Sequence, residues 1–332
     1  MTATTPKSRL TGLLLVPLAA SLLLCLLVSG CYLVRPDAGA IITVFPAWSW
    51  AVPGLLLAAM GFSRRTRRPA ALVALAWCGY LAGFAEETRS VLRRDWPTAE
   101  WEAARRQGRA LRVVSLNCAG GDPRAAAEVA AYRPDVVLLQ ESPNRVQVKR
   151  LARELFGREG RFVWGFDASL IVRGELAAAE QHPRLHLVWA RAKLHAGPEM
   201  AIASVRLHSP AYEMNILSRA DWRRQAANRR ARREEARELA TTLAALPASL
   251  PVILGGDFNA PAGDAIYRYL KPRLHEAFRG GGRGWGNTGF NHLPLLRVDE
   301  VWVSEHFRAS GVVARRTRFS DHRMVVCDLV LR

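Results

Sequence analysis

PVILGGDFNAP (residues 251–261) is an apolar run of strand length closed by two glycines, an acid and an amide. An isolated Asp-x-Asn is ordinarily a turn, because both side chains hydrogen-bond their own backbone. Here the pair closes a buried run, so Asp257 and Asn259 are expected at the rim of a sheet. Working outward, other short apolar runs carry polar groups at their tips. LRVVSLN (111–117) closes on Asn117, DVVLLQE (135–141) on Glu141 and MAIASVRLH (200–208) on His208, while SDH (320–322) precedes RMVVCDLVL (323–331). ASLIVR (168–173), HLVWARAKL (186–194) and RVDEVWVS (297–304), which holds Asp299, complete the strand candidates. Such continuous apolar strands are covered on both faces. Helical patterns occupy 123–132 and Asp221–Leu246. Strands outnumber helices, and several are joined by connections too short for a crossover helix. That predicts an α/β (α+β) fold of layers with largely antiparallel sheets. GGGRGWGNTG (280–289) reads as a loop bordering a site, and no internal repeat is found.

The net charge is +18, and all but four of the 47 basic residues are arginine, the exceptions being Lys7, Lys149, Lys193 and Lys271. Arginine's planar fork suits phosphate, so the excess fits anionic lipid, nucleic acid or phosphorylated substrates without choosing among them. The long helix carries Arg223, Arg224, Arg229, Arg230, Arg232, Arg233 and Arg237 with interleaved Glu234, Glu235 and Glu238, and reads as a solvated face of i,i+4 pairs. Five cysteines form neither a metal pattern nor a disulfide framework; Cys118 and Cys327 are expected as buried core residues.

The first quarter has a different character. No charge falls between Arg9 and Arg35, between Asp37 and Arg64, or between Arg68 and Glu86. These runs predict three transmembrane helices at about 10–34, 40–62 and 69–85, a juxtamembrane linker over 86–110 and a globular domain over 111–332. Lys7 and Arg9 before the first run, with Arg64, Arg65, Arg67 and Arg68 between the second and third, place the N-terminus in the cytoplasm and the globular domain outside. LVSGC (27–31) also has the form of a lipoprotein cleavage site ahead of Cys31.

LRVVSLN, PDVVLLQES, SVRLH, GGDFNAP, RVDEVWVS and SDHR, in this order and spacing, resemble the endonuclease/exonuclease/phosphatase (deoxyribonuclease-I-like) superfamily over residues 110–332. The resemblance implies a four-layer sandwich of two mostly antiparallel β-sheets flanked by helices. It implies Glu141 as principal Mg²⁺ ligand with Asn117 and Asp321 nearby. Asp257 would orient or deprotonate the attacking water, Asn259 and His208 would hold phosphate oxygens, and His322 paired with Asp299 would stabilise the phosphoryl group. Mn²⁺ is an alternative to Mg²⁺, and oxygen ligands suit either better than zinc. The active-site tyrosine of some nucleases has no counterpart; FDASL (166–170) stands in that region, with Asp167 as a candidate assistant.

Spans followed by such a domain resemble teicoplanin-resistance-type bacterial phosphatases, which implies an extracytoplasmic enzyme of the inner membrane acting on a lipid-linked substrate such as undecaprenyl pyrophosphate. Two other readings remain open at this point, a membrane-attached nuclease and a catalytically inactive envelope binding module. The expected partners are the bilayer and a phosphorylated substrate, with nucleic acid under the nuclease reading and no obligate protein partner.

Overall fold

The computed structural model describes residues 6–194 and 197–332, with side chains described from residue 12 onward. Lys7 and Arg9, which carry part of the orientation argument, lie outside the described side chains. The chain divides into two compact units, residues 1–89 with 213–226, and residues 90–212 with 227–332.

In the first unit α1 (Pro6–Val34), α2 (Ala51–Met60) and α3 (Arg67–Phe84) pack around Leu18, Cys25, Ala58, Val73, Trp77 and Tyr80. Trp77 Nε1 donates to Ser21 Oγ at 3.0 Å, and that hydroxyl donates to the Gly54 carbonyl at 2.6 Å, so the buried polar groups find partners inside the bundle. Leu23, Leu56 and Leu72 face outward. Among the described residues one helix, Gly12–Val34, is long and apolar enough to cross a membrane. The expected second span is instead two helical pieces, Asp37–Thr43 and Ala47–Met60, bent by 79°, and only if the pair counts as one span are there two. Pro46 lies at the break; it lacks an N–H and disfavours helical geometry in the residue before it. The expected third span is α3, which opens on Arg67 and Arg68 and does not meet the same test.

The second unit runs α4 (Ala99–Arg106), β1 (Ala110–Asn117), α5 (Pro123–Ala127), β2 (Val136–Gln140), α6 (Arg145–Phe156), β3 (Gly160–Trp164), β4 (Ala168–Gln181), β5 (His186–Leu194) and β6 (Glu199–Arg206). It continues with the part of α7 (Arg219–Ala244) from residue 227 on, β7 (Val252–Asp257), β8 (His275–Glu276), β9 (Asp299–Val303), β10 (Phe307–Arg315) and β11 (Met324–Leu331). The strands hydrogen-bond in the order β10-β11-β1-β2-β4-β5-β6-β7-β9-β8, with β3 on β4. Only β1–β2 and β6–β7 pair in parallel among the described residues; the other pairings are antiparallel, as expected.

The long β4 turns one ribbon into two sheets. Its first half pairs with β2 and β3, and from Gly174 onward it pairs with β5. Gly174 has φ 148°, and a Cβ there would stand 2.2 Å from the Lys193 carbonyl, so only glycine lets the strand pass at this crossing. Between the two sheets lie Val113, Leu138, Leu170, Ile202, Ile253 and Val301. The outer face of the first sheet packs Val114, Leu116, Val137 and Leu139 against Ala126 of α5 and Val148 and Leu151 of α6. The outer face of the second packs Val205, Val252 and Leu254 against Leu239 and Leu243 of α7. Helix, sheet, sheet and helix are the four layers the resemblance implied. Cys118 and Cys327 are buried, as expected.

One expectation changes. Arg237 lies on a solvated face and pairs with Glu234 at 2.7 Å, but Arg229 and Arg232 are buried. Asp264, which caps the 3₁₀ turn Ala265–Tyr269, takes Arg229 Nη2 at 3.0 Å and so brings a compensating charge inside.

Candidate active site

The topology explains why scattered tips meet. Parallel pairing puts the C-terminal ends of β1 and β2, and of β6 and β7, on one rim. Antiparallel pairing brings the start of β9 to the same rim, where Asp299 stands opposite Asp257, and the start of β11 beside the end of β1. The tips of both sheets thus form one constellation.

Asn117 joins its two halves. Its Nδ2 donates to Glu141 Oε1 and to Asp257 Oδ2, each at 3.1 Å, while its Oδ1 accepts from Ala119 N–H at 2.9 Å. Glu141, with φ 44°, lies in the left-handed region, where a side chain is held only by over-determining contacts. Those contacts include Gly120 N–H to Oε2 at 2.6 Å and Arg206 Nη2 to Oε1 at 3.0 Å. Burial raises the Glu141 carboxyl, but Asn117, Gly120, Arg206 and His322 together outweigh it and hold the group below its ordinary range.

Asp257 is buried, with Oδ1 accepting from Asn259 N–H at 2.9 Å. Desolvation first, then the neighbouring Asp299, raises it to about 6. Asn259, also left-handed at φ 50°, donates from Nδ2 to the Leu207 carbonyl at 2.8 Å and so ties the tips of β6 and β7 together. Gly256 makes this approach feasible: a Cβ there would lie 1.8 Å from the Val205 carbonyl.

His322 Nδ1 lies 2.7 Å from Asp299 Oδ2. Desolvation lowers the imidazole, but Asp299, Asp257 and Asp321 outweigh it and raise it to about 10, so His322 is an imidazolium at neutral pH. The Ser320 hydroxyl fixes this loop, donating to the Asn117 carbonyl at 2.7 Å and accepting from His322 N–H at 3.0 Å. Asp299 is anchored by its N–H to Thr288 Oγ at 3.1 Å, so the loop 280–289 does border the site.

Asn117, Glu141, Asp257, Asn259, Asp299 and His322 therefore come together. Asp321 and His208 flank them at exposed positions; the backbone N–H of His208 is held by Glu235 Oε2 at 2.6 Å. Sequence reasoning missed Arg206. Its Nη1 meets Asp167 Oδ2 at 2.8 Å, which brings Asp167 to the site by way of the guanidinium.

The donors fit a hard divalent cation. They are carboxylate and amide oxygens, and burial keeps the one nearby thiol, Cys118, protonated. Glu141, Asp167, Asp257, Asp299 and Asp321 set five carboxylates against the cations of Arg206 and His322. Asp299 Oδ1 is buried without a hydrogen-bond partner among the described residues. One oxygen or nitrogen from each of Asp257, Asp299 and His322 lies within 4.8 Å of the others. Because His322 Nδ1 is already engaged by Asp299, this trio reads better as an ion-paired imidazolium beside an acid than as a set of three ligands.

Carboxylates, amides and an imidazolium gathered on one rim of a two-sheet sandwich are groups on which phosphoester hydrolysis draws. The chain belongs to the Endonuclease/Exonuclease/phosphatase family, whose profile matches residues 114–322. Among solved structures it is similar to an endonuclease/exonuclease/phosphatase family protein from Bacteroides thetaiotaomicron, at 16% identity, covering 67% of this chain and 98% of that one with TM-score 0.53. It is similar to the human nocturnin catalytic domain with bound sulfate, at 20% identity, 68% and 95% coverage and TM-score 0.51. D. rerio TDP2 complexed with a single-strand DNA product matches at 17% identity, 66% and 98% coverage and TM-score 0.51. At these identities the likeness shows the fold. No curated protein matches the chain.

Proposed function

We propose that the protein is a membrane-anchored, extracytoplasmic, Mg²⁺-dependent phosphohydrolase that cleaves a phosphate ester or pyrophosphate, with a lipid-linked substrate favoured. The observation that carries this reading is the joining of Glu141 to Asp257 through the Asn117 amide, at 3.1 Å on each side, with the imidazolium of His322 beside them. Glu141 would hold the cation, with Asp321 as a further oxygen donor. Asn117, expected from the resemblance as a ligand, turns its Nδ2 to Glu141 and Asp257 and would position those carboxylates instead. Mn²⁺ would serve in place of Mg²⁺. A bound cation supplies Lewis-acid stabilisation of phosphoryl charge. Asp257, raised to about 6, is suited to orient water and take its proton near neutral pH. His322 donates from its free ring nitrogen to the charge that grows on phosphoryl oxygen, and Asp299 keeps it protonated. Asn259 and His208 are assigned to the phosphate side.

The membrane part of the reading rests on the apolar residues that α1, α2 and α3 turn outward, and on the arginines between α2 and α3. It takes residues 1–85 as a three-helix membrane region, 86–110 as a linker and 111–332 as the catalytic domain. A substrate confined to the same membrane would share its surface with the enzyme. The nuclease reading is favoured by one observation, the 77% exposed ring of Phe166 next to Asp167, which offers a stacking surface for a base.

The test is a panel of phosphomonoesters, phosphodiesters, prenyl pyrophosphates and plasmid DNA, run with wild type and Asp257→Ala, in Mg²⁺ and in chelator. Phosphate release from prenyl pyrophosphate that needs both Mg²⁺ and Asp257 is expected. Cleavage of plasmid DNA with the same two requirements, and none of prenyl pyrophosphate, would replace this reading with the nuclease.

A further inference from the structure

We infer that Arg206 is a phosphate-binding residue that selects substrates bearing a doubly charged phosphate, held in the free protein on Glu141 and Asp167. This inference rests on the hydrolase reading above and goes beyond it in naming the substrate's charge class.

The guanidinium stands between the two halves of the site. Nη2 donates to Glu141 Oε1 at 3.0 Å and to Ser209 Oγ at 3.1 Å, and Nη1 donates to Asp167 Oδ2 at 2.8 Å. Nε is 4.0 Å from Asp257 Oδ2, too far to bond, and is buried without a hydrogen-bond partner among the described residues. Arg232, Arg283 and Arg315 also bury an Nε without a hydrogen-bond partner among the described residues, so it is the place of Arg206, between Glu141, Asp167 and Asp257, that sets it apart. This one keeps a buried N–H on the side of the site where Asp257 lies.

Two features make the group a reserve donor for phosphate. The first is competition at Glu141, since a guanidinium and a divalent cation cannot both take full advantage of the same carboxylate oxygen. Engagement of Glu141 by a cation leaves Nη2 short of an acceptor. The second is anchorage: Asp167, itself 3.8 Å from His186 Nδ1, keeps hold of Nη1, so the fork stays in place. Nη2 and Nε then offer two parallel donors, the geometry that fits a phosphate edge. A diester brings one negative charge, which the cation and the His322 imidazolium already oppose. A monoester or terminal pyrophosphate brings a second, and Arg206 is the group available to meet it.

The experiment uses the detergent-solubilised full chain as wild type, Arg206→Ala and Arg206→Lys. Hydrolysis of p-nitrophenyl phosphate and of bis(p-nitrophenyl) phosphate is compared with Mg²⁺ binding by calorimetry. Arg206→Ala is expected to lose about 100-fold in kcat/KM on the monoester and less than about tenfold on the diester. The same variant is expected to bind Mg²⁺ about tenfold more tightly, because its rival for Glu141 is gone. Arg206→Lys, which keeps the charge without the fork, should fall between the two on the monoester, and it carries the test if the alanine variant does not fold. Equal losses on both esters, or Mg²⁺ binding that is unchanged or weaker, would overturn the inference. Wild type inactive in Mg²⁺ on both esters and on prenyl pyrophosphate would overturn the hydrolase reading and this inference together, whereas an active wild type matched by Arg206→Ala on every substrate it cleaves would overturn this inference alone.

Discussion

At the scale of single residues, the site works through two opposed displacements. Burial and Asp299 raise Asp257 to about 6, while three carboxylates raise His322 to about 10. If Asp257 must be ionised and His322 protonated, kcat/KM should rise with pH through about 6, stay level, and fall through about 10. Asp299→Asn removes the largest raising influence on the imidazole, so the alkaline limb should move to lower pH; a limb that stays put would exclude His322 as its source. Stability carries the same signs. His322 sits above its ordinary 6.5 when folded, so its contribution is complete below 6.5 and is lost as pH rises through about 10. Asp257 holds its proton more tightly folded than unfolded, so stability falls as pH climbs from 3.8 to about 6. Thermal melts of wild type and Asp299→Asn across pH measure the first of these effects directly. Asp257, Glu141, Asn117 and His322 were legible because each closes or opens an apolar run, whereas Asp299 was implied only by the family resemblance. Arg206 was not, because its partners Asp167 and Glu141 lie 39 and 65 residues away. Its one local signal is that it is the sole charged residue in MAIASVRLH.

At the scale of elements, β-branched apolar runs announced themselves and weaker segments did not. The predicted strand at 168–173 continues to Gln181 through GELAAAEQ, whose alanines and exposed glutamates carry little strand signal. β10, FRASGVVAR, has a glycine and a bulge between Ala309 and Gly311 and gave no continuous run. α6 was readable but went unread: Asn144 and Gln147 form a capping box ahead of its first turn. The close approach of β6 and β7 is the element-level requirement of the site. Gly256→Ala would drive a methyl into the Val205 carbonyl and should cost about 3 kcal/mol. Chemical denaturation can measure that loss, and an unchanged midpoint with full activity would show that the two tips tolerate separation.

At the scale of the whole molecule, two units divide the chain, and residues 213–226, read from sequence as part of the globular domain, group with the first. The three apolar runs were legible as helices. The break near Pro46 and the charged start of α3 depended on local backbone chemistry that hydropathy alone does not weigh. If the catalytic unit faces outward, protease added to spheroplasts should digest residues 111–332 while inverted vesicles protect them, and the reverse pattern would place the site in the cytoplasm. The central claim, that tips from both sheets gather around one class of divalent cation held by Glu141, is tested most directly by electron paramagnetic resonance of Mn²⁺ titrated into the full chain. Wild type is expected to quench the free-ion signal saturably, with Mg²⁺ competing, and Glu141→Gln to lose that binding. Equal binding by the two proteins, or none by wild type, would contradict it.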